Sequence, residues 1–192
     1  MHRLAVFLSV LLLATPPSGV AQPMAADYLA RAEASMQSIA AAAPGAPARA
    51  ACAAHMEAAF DLAALAEAVA GPRVLTVLGT AGRPTFDAAL HLRLAADCAR
   101  ERRPGRLVPL GERPVAGGIA LAARLVPTEG AERVLVWRLR HGGPWGWQAS
   151  DLSIDGRGIA ATLHAEVQAQ FEQMGGTAEA AVSALARGAR LP

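Results

Sequence analysis

Residues 133–141 read RVLVWRLRH and residues 145–154 read WGWQASDLSI, joined through Gly142-Gly143-Pro144. In the first run Leu135, Trp137 and Leu139 fall on one side of an extended chain, and Val134, Val136, Arg138 and Arg140 on the other. Alternation with a period of two is the pattern of a strand. The second run sets Trp147 and Ala149 on a common side, and the short glycine-rich connection makes the two runs antiparallel neighbours. Working backwards, 118–127 alternates through Ile119, Leu121, Ala123 and Leu125 and reaches 133–141 by a turn at Thr128-Glu129-Gly130. A shorter apolar run occupies 106–110. The span 106–155 therefore reads as a meander of about four strands.

On both sides of it the period lengthens to that of helices. A helix is expected over 27–42, with Asp27 as N-cap and Leu29, Met36 and Ile39 on its apolar side. Pro44-Gly45-Ala46-Pro47 breaks it, and a second helix from Ala48 carries Cys52, Met56 and Phe60. Asp61 caps a third over 62–70, ended by Gly71-Pro72; residues 74–78 fit a helical turn or a short strand equally well. Thr85 caps a helix over 86–102, in which Phe86, Leu90 and Leu94 recur at four-residue steps. After the strands, Gly156 and Gly158 open a helix with Ile159, Leu163, Val167, Phe171 and Met174 in one stripe. Gly175-Gly176 ends it, and Thr177 caps a last helix bearing Val182 and Leu185. This order is that of an α+β fold: a twisted antiparallel sheet packed by helices from both ends of the chain, 27–102 and 157–187.

Composition narrows the function classes. Of 192 residues 53% are hydrophobic and 18% charged, which excludes intrinsic disorder. The 18 bases, all arginine, against 16 acids leave a net charge of +2, too little to neutralise a phosphate backbone, and 4% aromatics offer few stacking platforms. A nucleic-acid partner is not expected. His2-Arg3, the apolar run 4–14, Pro16-Pro17 and the small residues Gly19-Val20-Ala21 read as a signal peptide over 1–21, too short for the roughly 20 apolar residues that span a bilayer. No later stretch reads as a span, so 22–192 is expected to be one soluble exported domain. In an oxidising compartment Cys52 and Cys98 are most simply one disulfide, with two inert thiols or a reactive thiol as the other readings.

Chemistry is scarce. There is no nucleophile elbow, paired-histidine metal motif, phosphate-binding glycine loop or Cys-x-x-Cys, so neither an enzyme nor a cofactor is expected. Cys52 and His55 share a helix face, but two ligands make no metal site. Asp151 and Asp155 around Ser153 lack the glycine and distal glutamate of a calcium loop, and His141 beside Trp145 and Trp147 is the one faint catalytic lead. What remains is apolar surface in surplus, which makes either a filled core or a hollow for a hydrophobic ligand.

At this point a family likeness becomes readable. The segment Trp147-Gln148-Ala149-Ser150-Asp151-Leu152-Ser153-Ile154-Asp155-Gly156 resembles the "W-x-V-x-D-V-x-V-E-G" segment of the MlaC family, the toluene-tolerance auxiliary proteins. Gln170-Phe171 stands where that family has a late Gln-Phe pair. Phe60-Asp61, Ala66 and Ala70-Gly71 are similar to its "F-D-x-x-x-x-A-x-x-V-L-G" helix, and Phe86 falls where its long helix opens. The likeness runs from about residue 27 to 185. It implies a periplasmic phospholipid carrier, active in outer-membrane lipid asymmetry, that shuttles between an outer-membrane lipoprotein complex and an inner-membrane ABC transporter. The slot would lie between the concave face of the sheet and the helices. From the sheet the expected lining is Leu135, Trp137, Leu139 and Trp147; from the helices it is Leu90, Leu94, Ile159, Leu163, Val167 and Phe171. Arg138 and Arg140 are candidates for headgroup or partner contacts. Each methylene brought into water costs about 0.8 kcal/mol, so a chain of about 15 carbons needs a dry slot offsetting roughly 12 kcal/mol. The competing readings are a periplasmic scaffold with a filled core, and a carrier of a hopanoid or other hydrophobic small molecule.

Overall fold

In a computed structural model, which describes residues 23–188, the alternating runs become β1 (Gly105–Val115), β2 (Gly118–Pro127), β3 (Arg133–His141) and β4 (Trp147–Ile154). A two-residue β5 (Arg157–Gly158) completes one antiparallel sheet in the order β1-β2-β3-β4-β5. The signal peptide expected over 1–21 lies outside the described residues. The sheet thus has five strands rather than about four. β1 continues well past residue 110, and β4 begins at Trp147, because Gly142, Gly143 and Gly146 close the turn first: the Gly142 N–H donates to the Gly146 carbonyl at 3.1 Å.

Register decides which side chains share a face. Leu121 stands opposite Trp137, Trp137 opposite Leu152, and Leu135 between Ala123 and Ile154. This face is apolar, while the other carries Arg124, Val134, Val136 and Arg138. Irregularities in pairing at Pro109/Gly111 and Arg138/Leu139 bend the strands, as an extra residue on one side of a ladder does.

The helices are α1 (Pro23–Ala41), α2 (Ala46–Ala59), α3 (Leu62–Glu101), α4 (Ile159–Gln173) and α5 (Ala178–Gly188). Several expected boundaries move. Asp27 lies inside α1 instead of capping it. Phe60 leaves α2 in extended backbone and bridges Ala149 of β4. Residues 74–78 are helical, and helix resumes before Thr85, directly after Gly79, with Pro84 inside it. Met174 ends α4 half-exposed rather than completing its apolar stripe. Asp61 caps α3 as expected from sequence, its Oδ1 accepting the Ala64 N–H at 3.0 Å, and Thr177 Oγ1 accepts from Ala180 at 3.2 Å. By length and composition α3 is apolar enough to cross a membrane, contrary to the sequence reading of this region.

That helix is not straight. Gly71 (φ 67°) and Gly79 (φ 56°) have non-helical backbone, and both lie in the left-handed region where glycine is favoured. A break frees carbonyls that a continuous helix would bond internally. α4 takes up those at Gly71: His164 Nδ1 lies 2.9 Å from the Val69 carbonyl and Gln168 Nε2 donates to that of Ala70 at 2.9 Å. The fit is close, since a Cβ on Gly71 would meet His164 Cε1 at 2.7 Å. α5 packs on α3 and α4 with Ala180, Ala181, Ala184 and Leu185, all buried. Cys52 of α2 and Cys98 of α3, 46 residues apart with Cα atoms 6.0 Å apart, form a disulfide.

Two outcomes follow. Gly71→Ala should cost about 1–3 kcal/mol, since it combines backbone strain with a clash against His164. Replacing both Cys52 and Cys98 by serine should cost about 3–4 kcal/mol by chain-entropy arguments. Urea midpoints of the variants against the oxidised parent measure both.

Candidate functional site

Between the apolar face of the sheet and the helices lies a hollow of about 420 Å³, within the range of about 300–1,000 Å³ common for ligand pockets. Its floor is Leu125 of β2, Leu135 and Trp137 of β3, and Leu152 and Ile154 of β4. α1 contributes Ala32, Met36 and Ile39, α2 His55 and Met56, and α3 Leu65, Leu94 and Cys98. Ile159, Thr162 and Leu163 of α4 supply a further wall, with Phe60 reaching in from the α2–α3 junction.

Five of the residues expected to line such a slot are therefore brought together: Leu94, Leu135, Trp137, Ile159 and Leu163. The other five are not. Leu90, Leu139, Trp147, Val167 and Phe171 are buried but pack into the solid core beside the hollow. Leu139 stands opposite Ala149, past the β3–β4 irregularity, and Trp147 stacks on His141 with ring centroids 3.9 Å apart at the far end of the sheet. Along α4 the stripe changes partner: Ile159 and Leu163 face the hollow, whereas Phe171 lies toward Gly176 at the turn into α5. Arg138 and Arg140 also lie away from it. Arg138 is on the outer face of the sheet, and Arg140 pairs with the cap residue Asp61 at 3.1 Å. His141 belongs to the Trp147 stack and not to the hollow.

The wall from α1, with Met36 and Ile39, has an apolar period legible in the sequence, but nothing there says that it faces a void. His55 carried no signal beyond its spacing from Cys52. Its Nδ1 lies 2.9 Å from Ser35 Oγ, with the rings of Phe60 and Trp145 at 6.1 and 5.7 Å. Burial pushes its pKa down to about 4 and keeps the ring neutral. Tyr28 is buried nearby, its hydroxyl donating to the Ala59 carbonyl at 3.2 Å, and desolvation raises its pKa.

Charge gathers where the hollow meets solvent. Arg93, Arg102, Arg103, Arg133 and Arg157 border it, together with Asp97, Glu101 and Glu166. Arg93 is held between Asp97 at 2.7 Å and Glu166 at 3.0 Å. Burial opposes its charge, but these two carboxylates outweigh that and raise its pKa. Arg133 pairs with Asp155, whose carboxyl is pulled down first by the Val134 N–H and then by Arg133.

A second hollow, of about 450 Å³, lies on the other side of α1. Leu29, Glu33 and Gln37 face it from the helix, and Leu107, Pro109, Glu112 and Leu121 from the sheet. Glu33 bolts α1 to β1 by accepting the Leu107 N–H at 2.7 Å. Among the described residues, no three His, Cys, Asp or Glu side chains are grouped to hold a metal ion.

His55 makes stability depend on pH. Its folded pKa lies below its ordinary value, so between about pH 6.5 and 4 the unfolded chain binds a proton that the folded one does not, and stability falls with acidification. From pH 7 to 5 the loss assigned to His55 should be about 2 kcal/mol, and His55→Asn should remove it. Urea midpoints at the two pH values, for parent and variant, give the difference.

No protein-family model matches the chain, and no curated protein matches it. Among solved structures it is similar to a phospholipid-binding protein from Ralstonia solanacearum, solved in complex with a phospholipid, with a TM-score of 0.67 and 14% sequence identity. The match covers 88% of this chain and 96% of that one. The two share one fold over nearly their whole length.

Proposed function

We propose that the chain is a periplasmic phospholipid carrier of the MlaC type, which holds acyl chains in the hollow beneath the sheet. In this reading it shuttles lipid between an outer-membrane lipoprotein complex and an inner-membrane ABC transporter, carries out no covalent chemistry and needs no cofactor. The observation that carries the proposal is the hollow itself: about 420 Å³ walled by Met36, Ile39, Leu135, Trp137 and Leu163, with charge confined to its rim. Such a space suits a long apolar chain with a polar end, because burial of each methylene gains about 0.8 kcal/mol while the head stays in water. The shared fold adds support, since the Ralstonia solanacearum protein was solved with a phospholipid bound. The signal-type N-terminus, with His2-Arg3 ahead of the apolar run 4–14, and the Cys52–Cys98 disulfide suit an oxidising compartment.

Protein purified from cells should carry phospholipid detectable by mass spectrometry, and a delipidated sample should rebind it from vesicles; a sample that never rebinds defeats the proposal. Leu163→Trp, which fills the hollow, should keep the urea midpoint near that of the parent and abolish uptake. Leu139→Trp, in the packed core, should instead lose about 1–3 kcal/mol by overpacking. A large stability loss in both variants would favour a filled scaffold.

A further inference from the structure

The rim of the hollow holds more positive charge than its own carboxylates neutralise. Arg93 is committed to Asp97 and Glu166, and Arg133 to Asp155. Arg102 and Arg103 form no ion pair among the described residues, and Arg157 acts on Asp155 only at longer range; Arg102 donates to the Ala42 carbonyl at 2.6 Å. Glu101 is the one bordering carboxylate without an ion pair, and Arg100, Arg102 and Arg103 flank it in the chain. Arg102, Arg103, Arg133 and Arg157 therefore stand against two carboxylates, Glu101 and Asp155. Arg102 and Arg103 come from the α3–β1 link and Arg157 from β5, and all three border the same hollow. A guanidinium offers two parallel N–H donors that match phosphate oxygens, and at a rim next to apolar walls that pairing is less screened than in open water.

Resting on the carrier reading, we propose that this rim selects lipids whose headgroup is a phosphodiester with net negative charge, over zwitterionic headgroups bearing an amine. Arg103 and Arg157 take the phosphate. An ammonium in the same place would meet the same arginines, and Asp97, Glu166 and Asp155 are already paired with arginine.

The test offers delipidated protein vesicles of equal phosphatidylglycerol and phosphatidylethanolamine with matched acyl chains, and quantifies the extracted lipid. Two partly exposed charge contacts should enrich phosphatidylglycerol roughly three- to tenfold. That enrichment should shrink toward unity near 1 M salt, where the screening length is about 3 Å. The double variant Arg103→Gln/Arg157→Gln should take up the two lipids about equally, and Arg138→Gln, on the outer face of the sheet, should retain the enrichment. Inorganic phosphate alone at millimolar concentration should displace no bound lipid. Equal uptake of both lipids by the parent, enrichment that survives the double variant, or displacement by free phosphate overturns headgroup selection and leaves the carrier reading standing. Uptake of neither lipid overturns both.

Discussion

Two backbone carbonyls, those of Val69 and Ala70, hold the walls of this molecule in place. They are left without helical partners because α3 breaks at Gly71, and a buried carbonyl must find a donor or forfeit about 1–3 kcal/mol. His164 and Gln168, one turn apart on α4, supply the donors. Because that same helix presents Ile159 and Leu163 to the hollow, the bonds that satisfy α3 also set where the α4 wall stands. A break that looks like a defect in the longest helix thus positions two walls relative to each other.

The space left between walls and floor follows from side-chain size and from the shape of the sheet. Bulky residues of β2, β3 and β4 gather on one face, and the helices opposite line the space with Ala32 beside the larger Met36, Ile39, Leu94 and Leu163. The strands of the sheet curve at two irregularities. Large groups fill the ends, with Trp147 on His141 at one and Phe171 near α5 at another, and the middle is left open.

Much of the fold was legible in the residues. The limits of β2 and β3, the Asp61 cap, the stop at Gly71-Pro72 and the order of elements could be read from period and turn chemistry, which are local properties. β5, the full length of β1 and the helical state of 74–78 could not, because two residues carry no period and long-range pairing decides the rest. The site was half legible for a related reason. Periodicity tells which side chains leave the solvent, and Leu135 and Leu139 are alike in that respect. Whether a buried residue meets another residue or a void depends on the opposite wall, set by elements distant in sequence. His55, Met36 and the bordering arginines owe their places to that assembly.

A fold with an internal hollow has an unusual stability problem. The residues around an unfilled interior lack partners on one side and forgo the dispersion contacts that close packing supplies. Adding larger groups would restore those contacts only by consuming the space. The bridge between Cys52 and Cys98, whose second sulfur belongs to the wall itself, escapes that conflict. In the chain-entropy account it works by shrinking the freedom of the denatured polypeptide, an effect indifferent to what occupies the native interior. Covalent closure can therefore sustain emptiness where tighter packing would abolish it.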